Sequence, residues 1–405
     1  MSPKYHDKMI GFTSQLTHAI AVSLVNSDTE DDTKNFIGDS YRDLTRIAMI
    51  NENLWSDLFF ANREYLLSEI TNFESELLKL KLCLVENKKG AYNKMNEEIK
   101  AVYDKQKIYI ITDSNVGPLY LDKIKNELHD FKVYSVCVEA GEQSKSFETY
   151  KEVLTKLLDL EIKRGELLIA LGGGVIGDLT GFVASSIYRG NPYIQIPTSL
   201  LAQMDSSIGG KTGIDFYGRK NIIGAFKQPL KVIIDPNALE TLPKVEFNNG
   251  MGELIKHGCI GNRKLLDMLS NSDVKITEEI IYESLCVKKN IVEIDPFDLK
   301  ERMFLNFGHT FGHIVELDGH LRHGEAVANG MLMAIQMGID LGLTNPSCYD
   351  TLKKILLKYD LPIKNTVYDK KNIAGEVSFI LISDFGAVFA KKFSESELLN
   401  YECKN

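Results

Sequence analysis

The sequence predicts an α/β domain combined with all-α regions on either side of it. Two observations carry this. Between residues 106 and 245 short apolar runs alternate with segments of helical spacing, the pattern of a parallel sheet covered by helices. Before and after that stretch, apolar residues recur every three or four positions without strand-like alternation. Bulk properties set the outer bounds. At 405 residues the chain exceeds the usual single-domain size, and 44% apolar content can fill a sizeable core. A formal charge of -9 argues against general nucleic-acid binding, which needs a basic face, yet leaves room for a local pocket for a small anion. Cys83, Cys137, Cys259, Cys286, Cys348 and Cys403 are scattered without paired spacing, which suggests reduced thiols rather than a disulfide framework. The opening MSPKYHDKMIGF is not a signal peptide, and no apolar run approaches the roughly 18 residues of a membrane span. A cytoplasmic protein with no membrane partner is expected.

The first region, residues 1–84, is read as helical. Phe12, Leu16, Ile20 and Leu24 recur every four residues, and Phe59, Leu66, Ile70, Phe73, Leu77, Leu80 and Leu84 form a nearly heptad stripe suited to pairing with another helix. The acidic VNSDTEDDTKN between them reads as a loop. Residues 85–105 are charged and poor in large aliphatics, and a linker or solvated helix is expected there. From 106 to 245 the order is KIYIIT as strand, GPLYLDKIKNEL as helix, KVYSVCV as strand, SFETYKEVLTKLLDL as helix and ELLIAL as strand. Residues 246–405 are expected to be mainly helical, most clearly at MLMAIQMGIDLGL and YDTLKKILLKYDL.

Three motifs bear on chemistry. In LLIALGGGVIGDLTGF, Gly172, Gly174 and Gly177 fall between a strand and a helix with dinucleotide-fingerprint spacing, where missing side chains let backbone N–H groups approach a pyrophosphate. An ordinary tight turn explains one or two of these glycines, and the ribose-binding acid expected about twenty residues later is absent. The stretch DSSIGGKTGIDFYGRKNIIGAF resembles a P-loop at GGKT, but the position five back is Asp205 and the pattern fails. What remains is Lys211, Lys220 and Asn221 beside exposed amides, either an anion or polyol site or a solvated hairpin. Third, NFGHTFGHIVELDGHLRHGEAV holds four of the eight histidines. RMFLNFGHTFGHIVEL reads as an inner helix on which His309 and His313 project together one turn apart, and GMGELIKHG puts Glu253 and Lys256 on one helical face. Glu253, His309 and His323 suit a catalytic zinc site, which uses three such ligands and leaves one position open. A hydrogen-bonded core or surface role is the alternative for each histidine, and surface is expected for His320.

Taken together, GEQSK, GGGVIGDLTGFVAS, YRGNPYIQIPTSLLAQMDSSIGGKTGID, GRKNIIGAFKQP, TLPKVEFNNGMGELIKHG, RMFLNFGHTFGH, HGEAVANGM and DKK resemble the 3-dehydroquinate synthase family over about residues 106–400, in unbroken order. The resemblance implies a Rossmann-like nucleotide-binding domain at 106–245 followed by a helical metal- and substrate-binding domain at 246–405. It implies a zinc-dependent (or other divalent metal, such as cobalt) and NAD-dependent carbon–oxygen lyase of the shikimate pathway. Such an enzyme converts 3-deoxy-D-arabino-heptulosonate 7-phosphate (DAHP) into 3-dehydroquinate and phosphate. Carried over by motif, the metal ligands are Glu253, His309 and His323. Nucleotide contacts fall on Asp113, Asn115, Glu142, Lys145, Gly173, Gly174, Val175, Gly177, Asp178, Thr198, Ser199, Lys211, Lys220 and Thr241. Catalytic positions fall on Lys211, Asn221, Lys256, Asn306 and His313, with His313 relaying the hydroxyl proton. Substrate positions fall on Asp205, Lys288, Arg302, Lys370 and Arg189, the last reaching the phosphate from a neighbouring subunit.

The front of the chain resembles a different family. HDKMIGFTSQLTHAIA and FIGDSYRDLTRIAMINENLWSDLFFANREYLL are similar to the helical, dimer-forming half of prephenate dehydrogenase over about residues 5–84, with His6, Arg46 and Trp55 on that family's substrate side. That family's nucleotide domain would precede His6, so a dimerisation role or a relic is expected here, in a homodimer. Two departures from the synthase pattern are visible. Helical linker stands where a strand-rich opening belongs, so a sheet edge is expected to be exposed or differently covered. The chain is also short between Leu361 and Asp369, which would displace Lys370. Competing expectations are a related sugar-phosphate cyclase, a metal-dependent polyol dehydrogenase, and a non-catalytic fusion.

Overall fold

The computed structural model describes residues 3–28, 39–48, 51–85, 95–271, 275–298, 300–317, 321–363 and 377–394. Contacts divide the chain into two units, residues 1–89 and 90–405. Lys370, Asp369 and His320 lie outside the described residues.

The N-terminal unit is helical, as expected: α1 (Pro3–Ile10), α2 (Leu16–Asn26), α3 (Asp39–Thr45), α4 (Glu52–Ala61) and α5 (Arg63–Val85). A π-turn, Gly11–Gln15, joins α1 to α2. It inserts an extra residue into the helical repeat and overturns the four-residue stripe. Gly11, Gln15, Leu16 and Ala21 face inward, whereas Phe12 is 54% exposed. Gln15 Nε2 donates to the Leu58 carbonyl at 2.9 Å, and Asn62 Nδ2 donates to Gln15 Oε1 at 2.8 Å.

In the second unit the expectation of a linker or solvated helix at 85–105 is corrected over 95–105; residues 86–94 lie outside the described ones. α6 (Met95–Lys100) buries Met95 and Ile99 against Ile108, Ile110, Ile124 and Leu128. Its few apolar residues all fall on one face, which is why a count of aliphatics undervalued it. A parallel sheet follows in the order β2-β1-β3-β4-β7, with β1 (Lys107–Asp113), β2 (Lys132–Val138), β3 (Leu167–Gly172), β4 (Tyr193–Pro197) and β7 (Lys231–Val232). Both faces are covered, and the period-two geometry of strands shows in the core. Ile108 and Ile110 of β1 pack toward α6 and α7 (Gly117–Glu127), Tyr109 and Ile111 toward α8 (Phe147–Asp159) and α9 (Gly174–Ser186). β2 forms one edge of this sheet, with Lys132 and Cys137 exposed. A separate antiparallel hairpin, β5 (Lys211–Phe216) and β6 (Arg219–Phe226), carries the GGKT segment.

The helical region holds α10 (Lys244–Gly261), α11 (Arg263–Ser270), α12 (Glu278–Ile294), α13 (His309–Leu317), α14 (His323–Asp340) and α15 (Ser347–Lys358) around one large apolar core. The expected inner helix over 302–317 is broken. Residues Glu301–Asn306 form a 3-10 turn, Gly308 sits at φ +81°, and α13 starts at His309. The sequence reading also missed the hairpin β8 (Val377–Asp384) and β9 (Ala387–Phe393), although the alternation in VSFILISDFGAVFAKKF marks it.

α10 and α14 touch backbone to backbone. A Cβ built on Gly252 would lie 2.1 Å from the Gly324 carbonyl oxygen, and one on Gly324 would lie 1.8 Å from that of Asn249. The Gly324 N–H donates to Asn249 Oδ1 at 2.7 Å. No side chain fits between these helices, so Gly324→Ala must push them apart. A loss of roughly 1–3 kcal/mol or more is expected, read from the urea midpoint of the full chain. An unchanged midpoint would show that the crossing yields easily.

Candidate metal and nucleotide site

The glycine contact matters because Glu253 follows Gly252 and His323 precedes Gly324. Glu253 Oε1 lies 3.4 Å from His309 Nε2 and 3.5 Å from His323 Nε2. One ligand atom from each of the three residues falls within 4.8 Å of the other two. A tetrahedral cation with arms of about 2.1 Å has ligand–ligand edges of about 3.4 Å, so the donor set fits zinc or a similar divalent metal. The carboxylate is 2% exposed and neither oxygen makes a hydrogen bond of good geometry, although Lys256 Nζ rests against Oε2. A buried carboxylate oxygen turned toward two imidazole nitrogens is a donor set that suits a cation. His309 Nδ1 faces the Phe307 carbonyl at 3.4 Å and His323 Nδ1 faces Glu316 Oε2 at 3.5 Å, which leaves both Nε2 atoms toward Glu253.

The charge balance favours this state. Burial works to raise the Glu253 carboxyl pKa, but the Lys256 ammonium and the two imidazoles outweigh it and hold the group ionised. Burial pushes His309 down to about 4, so it is neutral at physiological pH. For His323 burial also lowers the pKa, but the Glu253 and Glu316 carboxylates prevail and hold it above its ordinary value.

Next to this group is a second set of buried charges. Lys288 Nζ pairs with Asp205 Oδ1 at 2.6 Å, and His257 Nε2 lies 3.5 Å from the same oxygen. Burial pushes Lys288 down, and it also works against the Asp205 charge, which Lys288 nevertheless holds well below the usual carboxylate range. Arg302 is buried and donates through Nη1 to the carbonyls of Pro296 (2.8 Å) and Gly209 (3.2 Å). Lys211 pairs with Asp298 at 2.5 Å and Lys220 with Glu316 at 2.8 Å, so both hairpin lysines reach acids of the helical region. Asn221 is held at φ +54° with its N–H on Asp215 Oδ1 at 2.7 Å. His313 is exposed, its Nδ1 3.7 Å from Glu316 Oε2, and its ring centroid is 5.8 Å from that of His309. Asn306 is exposed at the end of the 3-10 turn.

The glycine turn joins this centre through residues 205 and 206: a Cβ on Gly174 would lie 3.1 Å from Ser206 Oγ, next to Asp205. The helix α9 starts after Gly173 with no side-chain cap, which leaves its first N–H groups for an anion. A Cβ on Gly177 would meet Gln195 Oε1 at 2.7 Å, so this glycine serves close helix-to-strand packing. Lys145 is buried and reaches Asp178 Oδ2 at 2.5 Å; burial lifts the Asp178 carboxyl to about 6 against that ammonium. The remaining nucleotide candidates are mixed in setting. Thr198 is buried with its N–H on the Gly172 carbonyl, Ser199 borders Gly173, Val175 is half-buried, and Glu142 and Asn115 are exposed. Asp113 Oδ1 accepts from the Asn115 and Val116 N–H groups, each at 2.9 Å, and Thr241 Oγ1 contacts the Tyr120 hydroxyl at 2.5 Å.

Arg189 is exposed on a left-handed turn, φ +63°, between Tyr188 and Gly190 of like sign, and has no ion pair among the described residues. Sequence reasoning missed Glu316, Asp298 and His257. The first two are spaced like ordinary surface acids, and only the folded chain shows which lysines and imidazoles they meet.

Among solved structures, 2-epi-5-epi-valiolone synthase (ValA) from Streptomyces hygroscopicus subsp. jinggangensis 5008, with NAD+ and Zn2+ bound, matches with a TM-score of 0.67 at 24% identity, over 74% of this chain and 90% of that one. A 2-deoxy-scyllo-inosose synthase complexed with carbaglucose-6-phosphate, NAD+ and Co2+ matches with a TM-score of 0.65 at 22% identity, over 75% and 93%. The fold is that of the dehydroquinate synthase-like cyclases. Family models narrow it: 3-dehydroquinate synthase N-terminal matches residues 135–249 and 3-dehydroquinate synthase C-terminal matches residues 250–378. The 3-dehydroquinate synthase of Clostridium botulinum (strain Alaska E43 / Type E3) is 42% identical over 325 residues, 75% of this chain and 93% of that protein. That of Streptococcus thermophilus (strain ATCC BAA-491 / LMD-9) is 38% identical over 352 residues, 80% and 99% respectively. The chain belongs to the 3-dehydroquinate synthase family. Residues 2–100 match a further model, the prephenate dehydrogenase dimerization domain.

The histidine pKa shifts give a pH prediction. Because His323 is held above and His309 far below the ordinary imidazole value, His323 is the proposed ligand that must shed a proton for a metal to bind. Zinc affinity should therefore fall as pH drops through the raised pKa of His323, by up to about tenfold per unit for one displaced proton. Calorimetric titration from pH 8 to 6 measures it, and a flat profile contradicts the assignment.

Proposed function

We propose that the chain is a 3-dehydroquinate synthase that converts DAHP into 3-dehydroquinate and inorganic phosphate, a phosphate-eliminating carbon–oxygen lyase using NAD and a divalent metal, zinc or cobalt. The observation that carries this is the meeting of Glu253, His309 and His323 beside buried Lys256, Lys288 and Arg302, in a chain of this family. When bound, the metal supplies Lewis acidity toward a substrate hydroxyl and NAD a hydride acceptor restored within each turnover.

The chain's own residues then do the following. Lys256, Lys288 and Arg302 bring positive charge into a water-poor site, where it acts strongly on a carboxylate or phosphate. Lys211 and Asn221 lie on the hairpin, where Lys211 can exchange Asp298 for a substrate oxygen. His313 combines exposure with closeness to His309, which suits a group passing a proton between the site and solvent. Lys145 and Asp178 with the Gly173–Asp178 turn would hold the nucleotide, and Arg189 would reach the phosphate bound by a neighbouring subunit.

The test supplies purified full-length protein with DAHP, NAD+ and zinc. Phosphate and dehydroquinate should appear together, and His309→Ala should abolish both along with stoichiometric metal. Phosphate without carbocycle, or an unsubstituted chain that binds no metal, contradicts the reading.

The N-terminal unit is read as a self-association element. A groove of about 410 Å³ there is lined by Trp55, Phe59, Leu66 and Ile70, with Phe60 and Leu67 exposed on its rim. His18 stacks on Trp55 at 3.7 Å, and His6 is exposed with Asp7 as its partner. Sedimentation of the full chain should show a dimer, weakened by Phe60→Glu with Leu67→Glu and with helicity retained. A monomeric unsubstituted chain would sink this part, and NAD-dependent oxidation of prephenate would show that the unit does more than associate.

A further inference from the structure

The most connected acid near the proposed metal group is one that no motif singled out. Glu316 lies on α13, seven residues beyond His309 and three beyond His313. Its Oε1 accepts from Lys220 Nζ at 2.8 Å. Its Oε2 faces His323 Nδ1 at 3.5 Å and His313 Nδ1 at 3.7 Å. The side chain is 23% exposed, so this is a half-buried junction rather than a solvated surface charge.

A neutral imidazole carries one proton on one of its two nitrogens. An ionised carboxylate can only accept, so beside Nδ1 it favours the tautomer with the proton there and the lone pair on Nε2. In His323 the Nε2 so freed and Glu253 Oε1, 3.5 Å apart, would both face a cation between them; without the cation the Glu253 carboxylate competes for a proton on Nε2. His309 reaches the same arrangement differently, with Nδ1 on the Phe307 carbonyl, an acceptor that no substitution removes. Glu316 is not a fourth ligand, because it meets the nitrogen of His323 that turns away from Glu253.

We propose that Glu316 is a positioning residue for the metal site: it accepts the Nδ1 proton of His323 and so aims Nε2 at the cation held with Glu253 and His309. Lys220 anchors the carboxylate from the β5–β6 hairpin, which ties the seating of that hairpin to the shape of the metal site. The inference rests on the metal reading given above and deepens it.

The test uses the full chain with Glu316→Ala and Glu316→Gln. Zinc affinity is measured by competition with a chromogenic chelator at fixed pH, alongside thermal melting of the metal-free protein. Glu316→Ala should bind zinc about 10–100-fold more weakly. Glu316→Gln keeps a carbonyl oxygen able to accept the same proton, so it should stay much closer to the unsubstituted protein. In zinc-loaded chain labelled with 15N-histidine, the His323 Nδ1–H should be protected from solvent exchange in the unsubstituted protein and Glu316→Gln, and exchange faster in Glu316→Ala. Equal zinc binding by Glu316→Ala overturns the proposal, as does an equal loss in both variants accompanied by lower melting temperatures. Should the unsubstituted protein bind no zinc, the metal reading falls and this proposal with it, whereas equal zinc binding by the unsubstituted protein and Glu316→Ala sinks this proposal alone.

Discussion

The site depends on the contact between α10 and α14, where Gly252 and Gly324 let two helix backbones meet without side chains between them. The proposed ligands Glu253 and His323 are the neighbouring residues, so the helix crossing sets their separation directly. A Cβ at either glycine would collide with the facing backbone, so the two helices, and the donors they carry, must shift. The proposed third ligand depends on another backbone event. The positive φ of Gly308 ends the 3-10 turn and starts α13 at His309, placing that ring opposite Glu253.

Around that contact the protein concentrates charge where water is scarce. Lys256 against Glu253 and Lys288 against Asp205 are ion pairs that burial alone would oppose. Their retention makes sense for a multiply anionic substrate, since cations already stripped of water act more strongly on a ligand's oxygens. The hairpin lysines differ: Lys211 and Lys220 are exposed, and their acid partners belong to the helical region. Those pairs join the two halves of the cleft by contacts that a substrate or cofactor can compete for.

Much of this was legible in the chain. The βαβ alternation specifies the parallel sheet, the glycine run after β3 the uncapped start of α9, and the residue types of Glu253, His309 and His323 mark them as candidate metal donors. The errors share a cause. Helix α6 has few apolar residues, but Met95 and Ile99 both point inward. The π-turn at Gly11–Gln15 rotated the stripe that spacing placed on Phe12. Gly308 broke a helix that hydrophobicity ran straight through. Each is a local backbone departure, and periodicity assumes there are none.

Sequence by itself determined the family, the order of the two synthase segments, the donor types at the proposed metal site and the glycines at the turn before α9, because covalent identity and spacing along one element survive without coordinates. Tertiary structure alone decided that Glu253 stands between two imidazoles 56 and 70 positions further along. It decided equally that Glu316 meets Lys220 and His323, and that Arg302 spends its donors on backbone carbonyls. Such meetings are set by how helices cross and where the chain bends, and those depend on packing across the whole core rather than on any stretch read alone.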